Sequence, residues 1–323
     1  MPARPKRPAR MAASLAIAAA ISTACSNATA APQLDSLPER LDLPAATDAV
    51  TLQCIAPDAT DRTVRLERSF VETFDRYPEP ARWEPHFDGR YDWPVKRWLA
   101  GNKEQQIYVD RRYPGSGKAG LGIDPFSVAD GRLTITGDKA PDAALPFLYG
   151  QRYTSGLLTT RRSFTQAYGY FEMRGRMPAG QGVWPAFWLL PENVKRPYPE
   201  IDIIEMKGRE PMTVNQTVHY GAAGSDAHRY AACKQTVATA TSEMHNYGAL
   251  VEADRITFYI DRVPVGTMAA PPTTDQKLYM LLNLALGGAY GGAIDATTQL
   301  PVRMQIDHVV AYRLATPAEA PRP

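Results

Sequence analysis

The stretch Arg132-Leu133-Thr134-Ile135-Thr136 alternates polar and apolar residues with a period of two. Successive side chains of a β-strand point to opposite faces, so this pattern is typical of a strand with one buried face. Helix-period segments are few, and the best of them, residues 240–247, is short. The pattern therefore predicts an all-β sandwich or barrel in one domain of roughly 250 residues. Similar alternating runs occur at residues 168–177, 255–260, 278–284 and 304–312.

The composition is that of an ordinary globular protein, with 44% apolar residues in a chain of 323. Its 36 basic and 34 acidic residues give a net charge of +2. The body of the chain has no Lys/Arg run of the kind that indicates nucleic-acid binding, so we predict no nucleic-acid partner. The sequence also shows no basic motif that would mark a cleft for sulfated substrates.

The first 30 residues have the layout of a signal peptide. Basic residues crowd positions 4–10, an apolar run follows at 11–23, and Ala28-Thr29-Ala30 offers a small-x-small cleavage site. A lipoprotein signal, with a lipid anchor at Cys25, is the alternative. The apolar run is shorter than the ~20 residues that span a bilayer, and no later segment is long and apolar enough. We expect a secreted or periplasmic protein without a membrane span.

The rest of the chain divides into three parts. Residues 31–65 are rich in Pro, Asp and Ala and are predicted to be an N-terminal extension. Residues 66–315 carry the alternating runs of the main domain, and residues 316–323 are predicted to be a disordered tail. Cys54 and Cys233 either form a disulfide or remain two free thiols, because sequence alone does not give their separation.

The segment Pro199-Glu200-Ile201-Asp202-Ile203-Ile204-Glu205-Met206 places three carboxylates in one short strand. Strict alternation would separate Glu205 from Glu200 and Asp202, so a β-bulge is needed to bring all three to one face. Three acids on one face repel one another, so such an arrangement calls for a functional reason. Glycoside hydrolysis, which uses a pair of carboxyl groups in one site, is one such reason. A solvated charged face and a calcium-binding cluster are the alternatives.

Aromatic residues surround this strand in the sequence. Trp184 and Trp188 lie upstream, Tyr198 immediately precedes the strand, and His219 lies on the next predicted strand. Aromatic planes bind the apolar C–H faces of sugar rings, so this combination predicts a carbohydrate cleft. Trp184 is the stronger candidate for substrate contact, whereas packing in the core is the alternative interpretation of Trp188.

Several further motifs occur in the order found in one enzyme family. They are Tyr153-Thr154-Ser155-Gly156, Tyr168-Gly169-Tyr170-Phe171-Glu172, Trp184-Pro185-Ala186-Phe187-Trp188, Leu282-Asn283-Leu284-Ala285 and Ile306-Asp307-His308-Val309. With these motifs and the E-I-D-x-x-E segment, residues 66–315 resemble glycoside hydrolase family 16. The resemblance implies a concanavalin-like β-jelly-roll sandwich of two curved antiparallel sheets, with residues 66–315 as the catalytic domain.

The resemblance also implies an activity. It implies retaining endo-hydrolysis of β-1,3/β-1,4 glucan-type or bacterial exopolysaccharide backbones, so the implied partner is a polysaccharide. A transglycosylase on the same glycans and a non-catalytic carbohydrate-binding protein are the alternatives. Carried over by position, Glu200 is the nucleophile, Glu205 the acid/base and Asp202 the assisting carboxylate. We expect a monomer.

The remaining implied residues bind substrate or metal. Trp184 would form the floor of the site. Asp307 matches a position that binds a structural calcium in many members, with the backbone carbonyl of Gly131 as a second ligand. No cofactor is implied for catalysis itself. The other implied substrate-binding residues are Trp188, His219, Tyr198 and Asn283.

Overall fold

The structure, a computed structural model, describes residues 37–46, 53–56, 62–87, 97–193, 199–221, 228–271 and 274–315. Its α-helix, α1 (Gly288–Gly291), is one turn long, and 3₁₀ turns lie at Ala100–Asn102 and Leu145–Phe147. Among these residues no helix is long and apolar enough to cross a membrane. The strands in chain order are β1 (Arg40–Pro44), β2 (Thr63–Glu72), β3 (Gln106–Tyr108), β4 (Phe126–Ala129), β5 (Arg132–Lys139), β6 (Tyr153–Ser155), β7 (Leu157–Thr159), β8 (Gly169–Arg176), β9 (Val183–Pro191), β10 (Glu200–Glu205), β11 (Thr213–Tyr220), β12 (Arg229–Thr236), β13 (His245–Val251), β14 (Arg255–Ile260), β15 (Val263–Ala269), β16 (Leu278–Leu286) and β17 (Val302–Leu314).

The strands form two sheets. The smaller sheet has the order β12-β11-β10-β9-β16-β7, and its pairs are antiparallel. The larger sheet has the order β15-β14-β13-β8-β17-β5-β6-β3, with β2 joining β17 to β1 and β4 pairing with β5. Within the described strands, β3 and β6 are the parallel exception. The predicted all-β fold of two antiparallel sheets is therefore confirmed.

The main hydrophobic core fills the space between the two sheets. Phe187, Ile201 and Leu282 of the smaller sheet are fully buried there. Phe171 and Phe258 of the larger sheet belong to the same cluster and are also fully buried. Each strand of the smaller sheet buries this inward face, so the side chains that point the other way are available for a binding site.

A disulfide fastens the N-terminal extension to the edge of the smaller sheet. Cys54 and Cys233 are bonded, with their Cα atoms 5.3 Å apart, so the disulfide alternative is confirmed. Gly266 on β15 makes room for it, because a Cβ there would lie 2.5 Å from the Cys233 Sγ. Cys25 and the signal segment lie outside the described residues. β2 begins at Thr63, so the predicted boundary at residue 65 falls inside a strand, and the domain limits stay a prediction.

The best helical candidate of the sequence, residues 240–247, is not a helix. Residues 240–242 form a turn, and β13 begins at His245. β13 pairs with β8 on one side and with β14 on the other, and the Asn246 backbone N–H donates to the Asp261 carboxylate. Pairing on both sides outweighs the local helix preference of a short segment.

A fully buried carboxylate, Glu172, lies on β8 among groups that favour its charge. Burial is the largest single influence and opposes ionisation, but the hydrogen bonds of Arg262, at 2.8 and 2.9 Å, and those of His308, together with the charges of both residues, outweigh it. His308 lies 3.5 Å away and carries a raised pKa, because Asp307 and Glu172 overcome the effect of its own burial. The net result is a pKa of about 2 for Glu172. The fold therefore depends on an ionised carboxylate in its interior.

Replacing Glu172 by Gln is expected to lower the free energy of unfolding by about 3 kcal/mol, because Arg262 and His308 lose their counter-charge. The folded-state pKa lies below the ordinary 4.5, so this contribution is present above pH 4.5 and is lost as the pH falls towards 2. Urea unfolding at pH 7 and pH 3 tests this. A matched change at an exposed glutamate, Glu243→Gln, should have little effect. Equal stability of wild type and Glu172→Gln at pH 7 would contradict the expectation.

Candidate active site

The three carboxylates reach one face of the smaller sheet through a bulge in β10. Asp202 pairs with Trp188 on β9 and Thr217 on β11. Three residues later Glu205 pairs with Ala186 and Asn215, only two residues further along each neighbouring strand. The extra residue confirms the predicted bulge.

The side chains around the bulge explain why the strand accepts it. Ile203 and Ile204 are both fully buried in the core, so two consecutive residues point inward. The alternation restarts after them, and Glu205 then faces the same cleft as Glu200 and Asp202. Burial of Ile203 and Ile204 side by side thus fixes the strand register that places the three carboxylates on one face.

Burial and mutual repulsion set the protonation of the two inner carboxyl groups. Burial, with the charge of Glu200 added, raises the pKa of Asp202 well above its usual value. Burial also raises the pKa of Glu205, and the neighbouring Asp202 raises it further. A hydrogen bond from Trp184 opposes this rise, because it favours the ionised form of Glu205. Glu205 therefore keeps its proton to a higher pH than an exposed glutamate does.

Trp184 and Tyr290 form an aromatic floor beside Glu205. The indole Nε1 of Trp184 donates to the Glu205 Oε1 at 2.8 Å. The Tyr290 ring lies 5.0 Å from the Trp184 ring and belongs to α1. Gly288 and Gly291 permit this contact, since a Cβ on either would lie 3.2–3.3 Å from a Trp184 carbon. Sequence reasoning missed Tyr290, although the Gly-Gly pair before it signals an unusual turn.

Trp188 and Asn283 lie on the far side of the acids from β11. The Trp188 Nε1 donates to the Asn283 Oδ1 at 2.7 Å, and the Asn283 Nδ2 donates to the Tyr108 hydroxyl at 3.0 Å. Trp188 is 7% exposed and packs with Phe87 and Tyr108, yet it also lines the cleft. Trp188 therefore packs against its neighbours and also borders the cleft. Substrate contact by Trp188 and Asn283 stays a prediction.

His219 connects the acids to a second histidine. Its Nε2 lies 3.3 Å from the Asp202 Oδ2, but that oxygen is buried and has no aligned hydrogen bond among the described residues. Its Nδ1 lies 3.1 Å from the His228 Nε2, and the planes of the two rings are nearly parallel, at 13°. Tyr230, 66% exposed, lies 5.7 Å from the His219 ring. His228 and Tyr230 were not identified from sequence, and Tyr198 lies outside the described residues.

The surroundings of Asp307 do not fit the implied calcium. Its carboxylate is 3.5 Å from the Arg132 Nε, 3.6 Å from the Arg174 Nε and 3.3 Å from the His308 Nδ1. These cationic groups approach the oxygens that a calcium ion would need, and Arg132 directly follows the implied second ligand, Gly131.

One group of described residues has a geometry that could hold a metal. Ligand atoms of Glu200, Asp202 and His219 lie within 4.8 Å of one another. Calcium prefers six to eight oxygen ligands, and this group offers two carboxylates and an imidazole. The structure therefore gives little support to calcium binding by the acidic strand.

The fold and site together define a class of protein: a two-sheet β-sandwich with three carboxylates on one bulged strand and an aromatic floor beside them. Residues 123–307 match the profile of glycosyl hydrolases family 16, and the chain belongs to this family. The predicted family is thereby confirmed.

Two curated relatives come from Rhizobium meliloti (strain 1021). The chain is 40% identical over 258 residues to the endo-1,3-1,4-beta-glycanase EglC, covering 79% of this chain and 53% of that protein. It is 39% identical over 256 residues to the endo-1,3-1,4-beta-glycanase ExsH, with the same two coverages. The chain thus spans about half the length of these relatives.

Solved structures of the same family have the same fold. The laminarinase catalytic domain of Thermotoga maritima matches with a TM-score of 0.64 and 25% identity, over 78% of this chain and 99% of that one. The laminarinase of Rhodothermus marinus matches with a TM-score of 0.62 and 27% identity, over 78% and 98%. This similarity confirms the predicted jelly-roll.

Proposed function

We propose that the protein is a retaining endo-β-glycanase that hydrolyses β-1,3/β-1,4 glucan-type backbones, including those of bacterial exopolysaccharides. The observation that carries the proposal is the bulge in β10, which gathers three carboxylates in one cleft and gives Glu205 a raised pKa. The two Rhizobium relatives are endo-1,3-1,4-beta-glycanases, which supports the choice of linkage.

The chain's own residues suffice for the first half of the reaction. Burial and the charge of Asp202 raise the pKa of Glu205, and its protonated form donates the proton to the glycosidic oxygen as the bond to the leaving sugar breaks. Glu200 attacks the anomeric carbon and forms a glycosyl-enzyme ester. Asp202 raises the pKa of Glu205 by its charge, so it helps to keep the acid protonated before the reaction.

The second half of the reaction reverses these roles. The ionised Glu205 takes a proton from a water molecule, and that water attacks the anomeric carbon and releases Glu200. The Trp184 hydrogen bond to Glu205 favours the ionised form, so it assists at this stage. Two inversions at the same carbon give net retention. No cofactor is required.

Replacing Trp184 by Phe is expected to move the alkaline limb of the pH–activity profile upward by about one pH unit. Activity depends on protonated Glu205 and falls as the pH rises through its pKa. The lost hydrogen bond favoured the carboxylate, so its removal raises that pKa further. The profile of kcat/KM on lichenan measures the shift. An alkaline limb that stays in place or moves to lower pH would contradict the assignment of Glu205 as the acid.

A transglycosylase on the same glycans is the second candidate. It would form the same glycosyl-enzyme, but a sugar hydroxyl instead of water would attack it. Tyr230, exposed on β12 and lining the cleft, is a surface on which an acceptor sugar could stack. Incubation with a labelled oligosaccharide acceptor separates the two activities. Predominantly elongated labelled products would overturn the hydrolase proposal.

The proposed substrate class is tested by a reducing-sugar screen on laminarin, lichenan, succinoglycan and agarose. We expect release from at least one of the first three, with short oligosaccharides as early products of endo-cleavage. A protein that binds one of these glycans tightly and releases no reducing ends would instead be the non-catalytic carbohydrate-binding alternative. No release from any of the four would count against the glycanase proposal.

The protein is further proposed to act as a monomer outside the cytoplasm. The signal-like segment at residues 1–30 supports secretion or a periplasmic location, with a lipid anchor at Cys25 as the alternative. The Cys54–Cys233 disulfide also supports an oxidising compartment. Mass spectrometry of the exported protein distinguishes an N-terminus after Ala30 from a lipidated Cys25.

A further inference from the structure

Two lysines line the same cleft as the three carboxylates. Lys207 follows β10 directly, and Lys234 projects from β12 at the edge of the smaller sheet. The Lys207 Nζ lies 4.9 Å from the ring centroid of Tyr290 and 3.9 Å from a carboxylate oxygen of Glu210. Lys234 is exposed and has no acidic partner within the described part of the chain. The cleft therefore carries positive charge beside its acids.

Strand register fixes how far Lys234 stands from the catalytic centre. Glu205 pairs with Asn215 on β11, and Asn215 pairs with Lys234 on β12, so the three residues form one row across the sheet. Neighbouring strands lie ~4.8 Å apart, which puts the Lys234 backbone about 10 Å from that of Glu205. At this distance Lys234 is placed to meet a sugar farther along the bound chain, not the atoms that react.

The residue between them offers a donor that lacks a partner. Asn215 is 6% exposed, lines the cleft, and its buried Nδ2 has no hydrogen bond among the described residues. A buried amide without a partner costs free energy, so a ligand oxygen is a suitable acceptor for it. Tyr230 lies on the same face of β12 as Lys234 and adds an exposed aromatic surface. Together these groups form a binding surface of cations, a donor and an aromatic ring.

We infer that this end of the cleft binds an anionic group carried by the glycan, with Lys207 and Lys234 as its cationic partners. The inference rests on the proposed glycanase function and names its substrate class: a β-glucan-type chain with a carboxylate or another anionic substituent near the cleaved bond. The ionised carboxylates of the site would repel such a chain, and the two lysines offset that repulsion where the substituent lies. The interaction is partly exposed and is therefore sensitive to salt.

The test compares charged and uncharged forms of one substrate. The substrates are lichenan, lichenan partly oxidised at C6 to carboxylates, the methyl ester of that oxidised lichenan, and lichenan partly sulfated at C6. We expect the wild type to give a kcat/KM about three- to tenfold higher on the carboxylate form than on its neutral ester at low salt. Raising the ionic strength from about 0.01 M to about 1 M should abolish this preference. The value of kcat/KM on the sulfated lichenan shows whether the site accepts only a carboxylate or any anionic group.

Variants assign the preference to the two lysines. Lys234→Gln and Lys207→Gln are each expected to lower the ratio of kcat/KM on carboxylate to that on ester, towards one, and Lys234→Arg to retain it. Lys139→Gln, at an exposed lysine on the larger sheet, is the matched control and should keep the wild-type ratio. A wild-type ratio of one or less, or an unchanged ratio in both Gln variants, would overturn the inference. Failure to cleave any form would instead count against the glycanase proposal.

Discussion

Replacing Glu200 by Gln is expected to lower kcat for glucan hydrolysis by about 10⁴-fold or more, while the protein folds normally. The amide is nearly isosteric with the carboxylate but cannot form the glycosyl ester, so the first step loses its nucleophile. Initial rates of reducing-end release on lichenan, with enzyme concentrations raised to match the slow variant, measure the loss.

Two controls distinguish a chemical effect from a structural one. The matched variant Glu243→Gln changes an exposed glutamate in the turn before β13 and should keep wild-type kcat. The Glu200→Gln protein should unfold at a urea concentration close to that of the wild type, because Glu200 is only partly buried. A Glu200→Gln enzyme with kcat within about tenfold of the wild type would refute its role as nucleophile.

Removing the disulfide through Cys54→Ala and Cys233→Ala together is expected to lower the free energy of unfolding by about 4–5 kcal/mol. The bond joins residues 179 positions apart, and closing so long a loop in the unfolded chain restricts it strongly. Urea unfolding under oxidising conditions measures the difference. Reductant should bring the wild type to the stability of the double variant.

The same bond anchors one end of the cleft. Cys233 lies on β12 between the cleft-facing Ala232 and Lys234, and its own side chain points into the core. Each single variant, Cys54→Ala or Cys233→Ala, should lose nearly as much stability as the double, because either change removes the link. A double variant within about 1 kcal/mol of the wild type would show that the bond contributes little.

The fold and the acidic strand could be predicted because both leave a local pattern. Alternation with a period of two marked the strands, and the break in alternation between Asp202 and Glu205 required a bulge. The structure has that bulge, and its cause is the burial of Ile203 and Ile204 side by side. Here the order of polar and apolar residues in one strand was enough to predict the geometry.

Features that depend on distance between separate strands could not be predicted in the same way. Tyr290 reaches the site through a turn after β16, and Lys207 and Lys234 line one cleft only because β10, β11 and β12 are neighbours. No basic motif was evident in the sequence, since 27 positions separate the two lysines. The sequence could not decide between a disulfide and two free thiols for the same reason.

Two interpretations of the sequence gain no support from the structure, and tertiary contacts explain why. Residues 240–247 are the best helical candidate of the sequence, but β13, which begins at His245, pairs with a strand on each side. At Asp307, where the family resemblance implies calcium, Arg132 from β5 and Arg174 from β8 bring positive charge to the same carboxylate. In both cases residues distant in the sequence decide the outcome.

The central claim, that Glu200 and Glu205 perform hydrolysis through a glycosyl-enzyme, is tested most directly by the anomeric configuration of the first product. Proton NMR of lichenan or laminarin digestion, recorded before mutarotation, distinguishes the two anomers at the new reducing end. We predict that the β-anomer appears first and the α-anomer follows only as mutarotation proceeds. Initial appearance of the α-anomer would mean a single inverting displacement and would contradict the account.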